Sequence, residues 1–336
     1  MTRRVVFLGA ATLLLVVAFL AQLSIGAITV PMGNVFAAFW SFDPQNYEHN
    51  VVLYQRLPRA LIAVYVGALM ACGGTVLQGL TRNPLAAPST LGINAGAAAF
   101  VVGGIHLLDL GLAAQGAAAL AGAVLGFLVC VAVARFAGLS RDPRGLSLIL
   151  SGALVSMLLV GIANAFLLAD PSRRTDLLSW MSGNINHVYA DRLTSFWWIG
   201  VLSLFVLAVL ARPLTLMSLG PEQAASAGVD VKRVTRLSLA AVMLGSGSAV
   251  AICGPVAFVG LVVPHLVRPF VGQGQIAGLP ACALAGASAC LVADLAARQA
   301  FQPYVLNTGI LLDLVGGLAF FVIVKRYYLG TAERTG

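Results

Sequence analysis

Ten long apolar stretches, separated by polar connections, constrain this chain more than any other feature of its sequence. They cover approximately residues 5–24, 59–80, 91–108, 113–136, 146–168, 193–212, 235–254, 257–272, 279–298 and 306–326. A segment of about 20 mostly apolar residues is long enough to cross the hydrocarbon core of a bilayer. Charge is scarce: 10% of the 336 residues are charged, against about 25% in a soluble domain whose surface must be hydrated. Glycine (36 residues) and alanine are abundant, as expected where transmembrane helices pack backbone to backbone. The expected fold is an all-α integral membrane protein of about ten transmembrane helices, forming a single domain over residues 1–336. The eighth stretch is short and interrupted by Pro264.

Arg3 and Arg4 precede the first stretch as in a signal peptide, but no clear small-x-small cleavage site follows. The stretch therefore reads as an uncleaved first helix with the N-terminus inside. That choice places Arg3, Arg4, Arg82, Arg135, Arg141, Arg144, Arg212, Lys232, Arg233, Arg236, Arg268, Lys325, Arg326 and Arg334 on the cytoplasmic side. Arg56, Arg59, Arg173, Arg174, Arg192 and Arg298 fall outside. Fourteen against six satisfies the positive-inside rule with both termini cytoplasmic. The net charge of +8 thus follows from topology; the basic residues are scattered rather than clustered with aromatics, which argues against nucleic acid.

Three connections are too long to be turns. Outside, residues 25–58 and 169–192 carry amphipathic pieces, the second with a short helix at about 175–185 around Trp180. Inside, residues 213–234 form the large cytoplasmic loop: Pro213 as a stop, Gly220-Pro221-Glu222 as a helix start, Gly228 as its end, and Asp230 as N-cap of a second short helix. Gly79-Leu80 precedes Pro84 after span two, and Gly260-Leu261 precedes Pro264 after span seven. Spans two to five and seven to ten therefore read as an inverted repeat.

The sequence lacks a GxxxxGK[ST] phosphate loop and any HExxH, GxSxG or SxxK constellation. Cys72, Cys130, Cys253, Cys282 and Cys290 lie in apolar segments without a CxxC pair, so they read as packing residues rather than metal ligands. Energy for work must come from elsewhere. One source is ion coupling, for which Asp313 is the carboxylate clearly inside a span, although a lone carboxylate there more often hydrogen-bonds a neighbouring helix. The other is a partner ATPase gripping residues 219–236, where Glu222 complements a helix N-terminus and Lys232, Arg233 and Arg236 offer positive charge.

Several segments in order resemble the iron-siderophore/vitamin B12 permeases of ABC importers, the FecCD-type family. They are Arg56-Leu57-Pro58-Arg59; Gly74 and Leu77-Gln78-Gly79-Leu80-Thr81-Arg82-Asn83-Pro84-Leu85-Ala86 with Pro88 and Leu91-Gly92; Trp180 with Met181 and Gly183; Leu219-Gly220 to Gly228; Gly254 with Phe258-Val259-Gly260-Leu261 and Pro264-His265 to Arg268; and Ala293-Asp294 with Ala297-Arg298. The resemblance implies a permease domain in the bacterial inner membrane, not an enzyme. Its implied partners are a cytoplasmic ABC ATPase dimer, which uses the ATP and magnesium, a periplasmic or lipid-anchored binding protein, and a second copy or paralogue of the permease. The implied cargo is a ferric siderophore, with haem or cobalamin as alternatives; this chain needs no cofactor of its own.

The resemblance also assigns roles. Leu219, Gly220, Pro221, Glu222, Ala225, Gly228, Val229, Lys232 and Arg233 form the element that couples to the ATPase. Arg56, Arg59 and Arg298 receive carboxylates of the binding protein; the residues themselves also permit interfacial snorkelling, or an internal pair of Arg298 with Asp294. Ser147, Ser151, Ser156, Asn164, Trp180, Asn184 and Asp313 are expected along the translocation path or its gate. Gln78, Asn83, Pro84, Pro264 and His265 have structural roles, with His265 in a Pro-His turn as a hydrogen-bond donor rather than an iron ligand. Relatives carry Glu-Leu-Pro-Val-Gly before span ten, where this chain has Val305-Leu306-Asn307-Thr308-Gly309, so span ten is expected to follow a different local path. Gln273-Gly274-Gln275 replaces a usually charged turn.

Overall fold

The computed structural model describes residues 2–136, 146–169, 171–300 and 304–325. Helices occupy all ten expected spans: Thr2–Ser24, Leu57–Thr81, Ile93–Leu108, Leu112–Phe136, Leu146–Ala169, Ala190–Val209, Val231–Cys253, Val259–Val271, Gln275–Gln299 and Thr308–Val324. Seven are long and apolar enough to cross a bilayer; the third, eighth and tenth are shorter apolar helices. Among the described residues there is no strand.

The order of packing follows the inverted repeat. Span two packs on spans nine and eight, while span seven packs on spans four and three. Spans two and seven also pack on each other; span five lies on three and four, and span ten on eight and nine. Each of these contacts recurs with the numbers exchanged, as expected for two related halves. Small residues permit the tightest crossing. A Cβ on Gly67 would lie 2.2 Å from the carbonyl oxygen of Gly286, so spans two and nine touch backbone to backbone. Tyr65 ties the centre together: its hydroxyl accepts from the Gly200 amide at 3.0 Å and lies 2.8 Å from Ser248 Oγ, joining spans two, six and seven.

Four local expectations need correction. The helix of span two starts well before residue 59: Tyr47–Asn50 and the π-wound Val51–Arg56 run without a break into Leu57–Thr81. Pro213 is no stop. The chain turns at Leu210, and Pro213 sits in the first turn of a new helix, Ala211–Met217, where its missing N–H leaves no bond unmade. Asp230 does cap a helix, accepting from the Arg233 amide at 3.0 Å, but that helix is span seven itself rather than a separate short piece. Pro264-His265 is not a turn, because the helix Val259–Val271 continues through it.

That continuity has a visible cause. Pro264 lacks the N–H that would bond to the Gly260 carbonyl, and Gln78 of span two supplies a substitute. Its Nε2 donates to the Gly260 and Leu261 carbonyls at 3.4 and 3.2 Å. Gln78 and Pro264, far apart in sequence, are thus one structural device. His265 Nδ1 lies 2.8 Å from the same Leu261 carbonyl, inside the helix. At the end of span two, Arg82 adopts a left-handed φ of 48° as the C-cap. Asn83 Oδ1 then accepts the Leu85 amide at 2.9 Å, closing the turn across Pro84.

Candidate functional site

The two ends of the bundle carry different chemistry. At one end, Gly26, Glu48, Gln55, Arg56, Arg59, His187, Arg298 and Val305 are among the residues that line a cavity of about 600 Å³. Arg56 is buried and turned inward by the π-wound segment. Its Nη1 donates to the Leu23 and Ser24 carbonyls at 2.8 and 2.6 Å, and its Nη2 to the Ile28 carbonyl. These are carbonyls at and beyond the end of span one, left without intrahelical donors, and a guanidinium suits them as a cap. Gly26 leaves room for it: a Cβ there would meet Arg56 Nη2 at 2.7 Å.

Beneath the cavity lies Asp294, with 0% exposure. Arg59 grips it with both arms of the fork, Nε to Oδ2 and Nη2 to Oδ1, each at 2.8 Å. Thr308 Oγ1 donates to Oδ1 at 2.6 Å, and Gln22 Nε2 donates to Oδ2. Arg298, one turn along the same helix, stands 3.5 Å away at Nε. One carboxylate therefore joins spans one, two, nine and ten. A buried charge in a span is sustained by such pairing and hydrogen bonding. Of the three expected docking arginines, two are largely occupied inside the chain.

At the other end, Gln78, Gly79, Arg82, Pro84, Ser218, Arg268, Gln273 and Gln275 surround a second cavity of about 290 Å³. Gln275 is buried there; its amide N–H donates to Thr215 Oγ1 at 2.9 Å and its Nε2 to the Thr75 carbonyl at 3.3 Å. An uncharged glutamine is thus used to stitch spans two and nine to helix Ala211–Met217. Beside this cavity a helix Pro221–Ser226 projects. Ala224 is fully buried against the core, whereas Leu219, Pro221, Glu222, Ala225, Gly228, Lys232 and Arg233 are exposed, Leu219 at 66%. Val229 is half-buried. Gly220, buried, takes a φ of +141° that an L side chain rarely adopts, so the entry to this helix requires glycine. The result is a short rigid knob, pinned by Ala224 and showing one large apolar side chain among charges.

The expected path residues divide. Ser147, Ser151 and Trp180 are buried within the chain, and Ser156 and Asn184 are half-buried. Asn164 on span five and Asp313 on span ten are exposed, each on a helix face otherwise formed by side chains such as Leu154, Met157 and Leu158, or Leu314 and Leu318. The short helix Arg174–Met181 and the turn after it bridge the two spans. Leu177 packs with Ala163 and Leu167 of span five, and Asn307 Nδ2 donates to the Ser179 carbonyl at 3.2 Å. The Gly309 amide donates to the Gly183 carbonyl at 2.8 Å.

The Asp294 cluster as a whole is not among the sequence expectations, which pair Asp294 only with Arg298. Gln22, an amide in an otherwise apolar first span, was the available signal, because a polar side chain inside a span needs an internal partner. The departure before span ten also gains a place: Val305 lines the cavity and Thr308 bonds Asp294. The five cysteines are free and buried.

This fold and these two ends define a multi-span helical membrane protein with a chemically distinct cavity at each end. The comparisons narrow it. The model of the FecCD transport family matches residues 14–326. The iron(3+)-hydroxamate import system permease FhuB of Bacillus subtilis (strain 168) is 32% identical, over 96% of this chain and 83% of its own length. The ferric enterobactin transport system permease FepG of Escherichia coli (strain K12) is 33% identical, over 92% of each chain. A solved metal-chelate type ABC transporter in an inward-facing conformation superposes with a TM-score of 0.77 at 27% identity, over 96% of this chain and 99% of that one. The chain belongs to the FecCD transport family of ABC importer permeases.

Proposed function

We propose that this permease carries a ferric siderophore across the bacterial inner membrane, as part of an importer driven by ATP. The observation that carries the cargo class is the similarity over nearly the whole chain to permeases of ferric chelates, a hydroxamate and enterobactin among them. The particular chelate differs between those relatives, so the shared property is the ferric chelate.

In this reading two cytoplasmic ATPases, with ATP and magnesium, supply the work. They receive the knob of residues 219–233, where Leu219 enters an apolar cleft and Lys232 and Arg233 meet acidic groups. A periplasmic or lipid-anchored binding protein delivers the chelate to the arginine-lined cavity, and both chain termini lie in the cytoplasm. Two permease copies, identical or paralogous, face each other across spans five and ten. This arrangement covers the exposed Asn164 and Asp313, which lipid would not solvate. The chelate passes between the copies by alternating access, without chemical change.

The test is reconstitution in proteoliposomes with the ATPases and the binding protein, offered a panel of iron chelates. Uptake of a ferric siderophore that needs ATP and the binding protein is expected. Uptake that proceeds without either, and follows a proton gradient, would replace this reading by an ion-coupled carrier using Asp313.

A further inference from the structure

A third cavity, of about 430 Å³, is a groove in the flank of the bundle. Leu204 and Ala208 of span six form one wall, and Ile276, Leu279, Pro280 and Ala283 of span nine the other. Arg212 lines it where span six gives way to helix Ala211–Met217. The apolar side chains beside it, Phe205 and Val209 on span six and Ile276 on span nine, are exposed. The groove therefore opens to the surroundings of the bundle, which in a bilayer are lipid.

Two polar features mark the end of the groove nearest the knob. Arg212 is exposed and has no hydrogen bond or ion pair among the described residues, and no acidic side chain lines the groove to meet it. Pro280 has no N–H to offer the Ile276 carbonyl one turn back. At Pro264 the glutamine of span two makes good the missing bond, whereas at Pro280 no side chain among the described residues does so. Both features sit at one height, because Thr215 Oγ1 of the short helix accepts the Gln275 amide at 2.9 Å. A free guanidinium suits a phosphate, a free carbonyl a hydroxyl donor, and an apolar groove a hydrocarbon chain. We propose that this groove binds an anionic phospholipid. Its phosphate lies on Arg212, a headgroup hydroxyl on the Ile276 carbonyl, and one acyl chain along Leu204, Ala208 and Ala283. The bonds of Gln275 to Thr215 and to the Thr75 carbonyl hold the walls in place before the lipid arrives.

The experiment uses the full-length permease, purified in detergent and stripped of lipid. It is offered phosphatidylglycerol or phosphatidylcholine with the same acyl chains, and native mass spectrometry counts the bound lipid. Phosphatidylglycerol is expected to be retained about fivefold better, the preference one interfacial arginine supplies. Arg212→Gln is expected to abolish that preference and Arg212→Lys to keep it. Ala208→Phe, which fills the groove from an exposed wall position, is expected to lower binding of both lipids several-fold. Equal retention of the two lipids by the unsubstituted chain, or an undiminished preference in Arg212→Gln, overturns the site. Full binding in Ala208→Phe does the same. Arg135→Gln, at an exposed arginine outside the groove, is the control; a loss as large as in Arg212→Gln would mean general attraction and overturn the proposal. Displacement of the lipid by soluble glycerol phosphate would make this a site for free phosphate esters instead. Loss of the preference once the ATPases are bound would give the face to a protein partner, and either result overturns the lipid site.

Discussion

A carboxylate inside a membrane span is sustained only while its charge is covered, and Asp294 draws its cover from three other spans. The bidentate Arg59 contact is the dominant part, since both fork atoms lie at 2.8 Å. Removing it leaves Asp294 with two neutral donors and one distant cation. Arg59→Ala is therefore expected to destabilise the permease by about 3–5 kcal/mol, the usual cost of stranding half of a buried pair. Thermal unfolding in detergent reads this directly; a midpoint within error of the unsubstituted protein would show that Asp294 is neutralised by other means.

At the scale of the helices, close approach rather than polar bonding sets the crossing of spans two and nine. A methyl on Gly67 would lie 2.2 Å from the Gly286 carbonyl oxygen, and backbone cannot step aside as a side chain can. Gly67→Ala is expected to cost about 1–3 kcal/mol through overpacking. Gly9→Ala on span one, where no atom lies within 4 Å of the new methyl, should be neutral or stabilising. Size-exclusion profiles and unfolding midpoints of the two variants test the contrast, and equal behaviour would mean that spans two and nine slide freely. The helices themselves were legible in the sequence because each span carries its own apolar signal. Their ends were legible where a local residue makes them, as at Gly228 or Asp230. Pro213 and Pro264 misled because a proline's effect depends on where its missing bond falls. For Pro264 the decisive partner is Gln78, which no local pattern connects to it. The Asp294 cluster stayed hidden for the same reason: Arg59 and Asp294 are 235 positions apart.

For the whole molecule, the sequence yields an orientation through charge, while the coordinates show which groups share an end. Gln55 and the arginine cavity lie at one end, and Lys232 and the knob with Leu219 at the other. By the positive-inside rule, fourteen basic residues against six lead us to expect the Lys232 end in the cytoplasm. Charge names the side, and the contacts show only which groups lie together at one end. Their joint consequence can be read by labelling. The native cysteines are all buried, so a membrane-impermeant thiol reagent should leave the unsubstituted chain unmarked. Gln55→Cys is expected to react in intact cells, and Lys232→Cys only in inverted vesicles. Reaction of both from the same side would break the inverted repeat, because spans two and seven must then run in the same direction. Reaction of each from the side opposite to that expected would keep the repeat and reverse the orientation, placing the arginine cavity where no periplasmic protein could reach it.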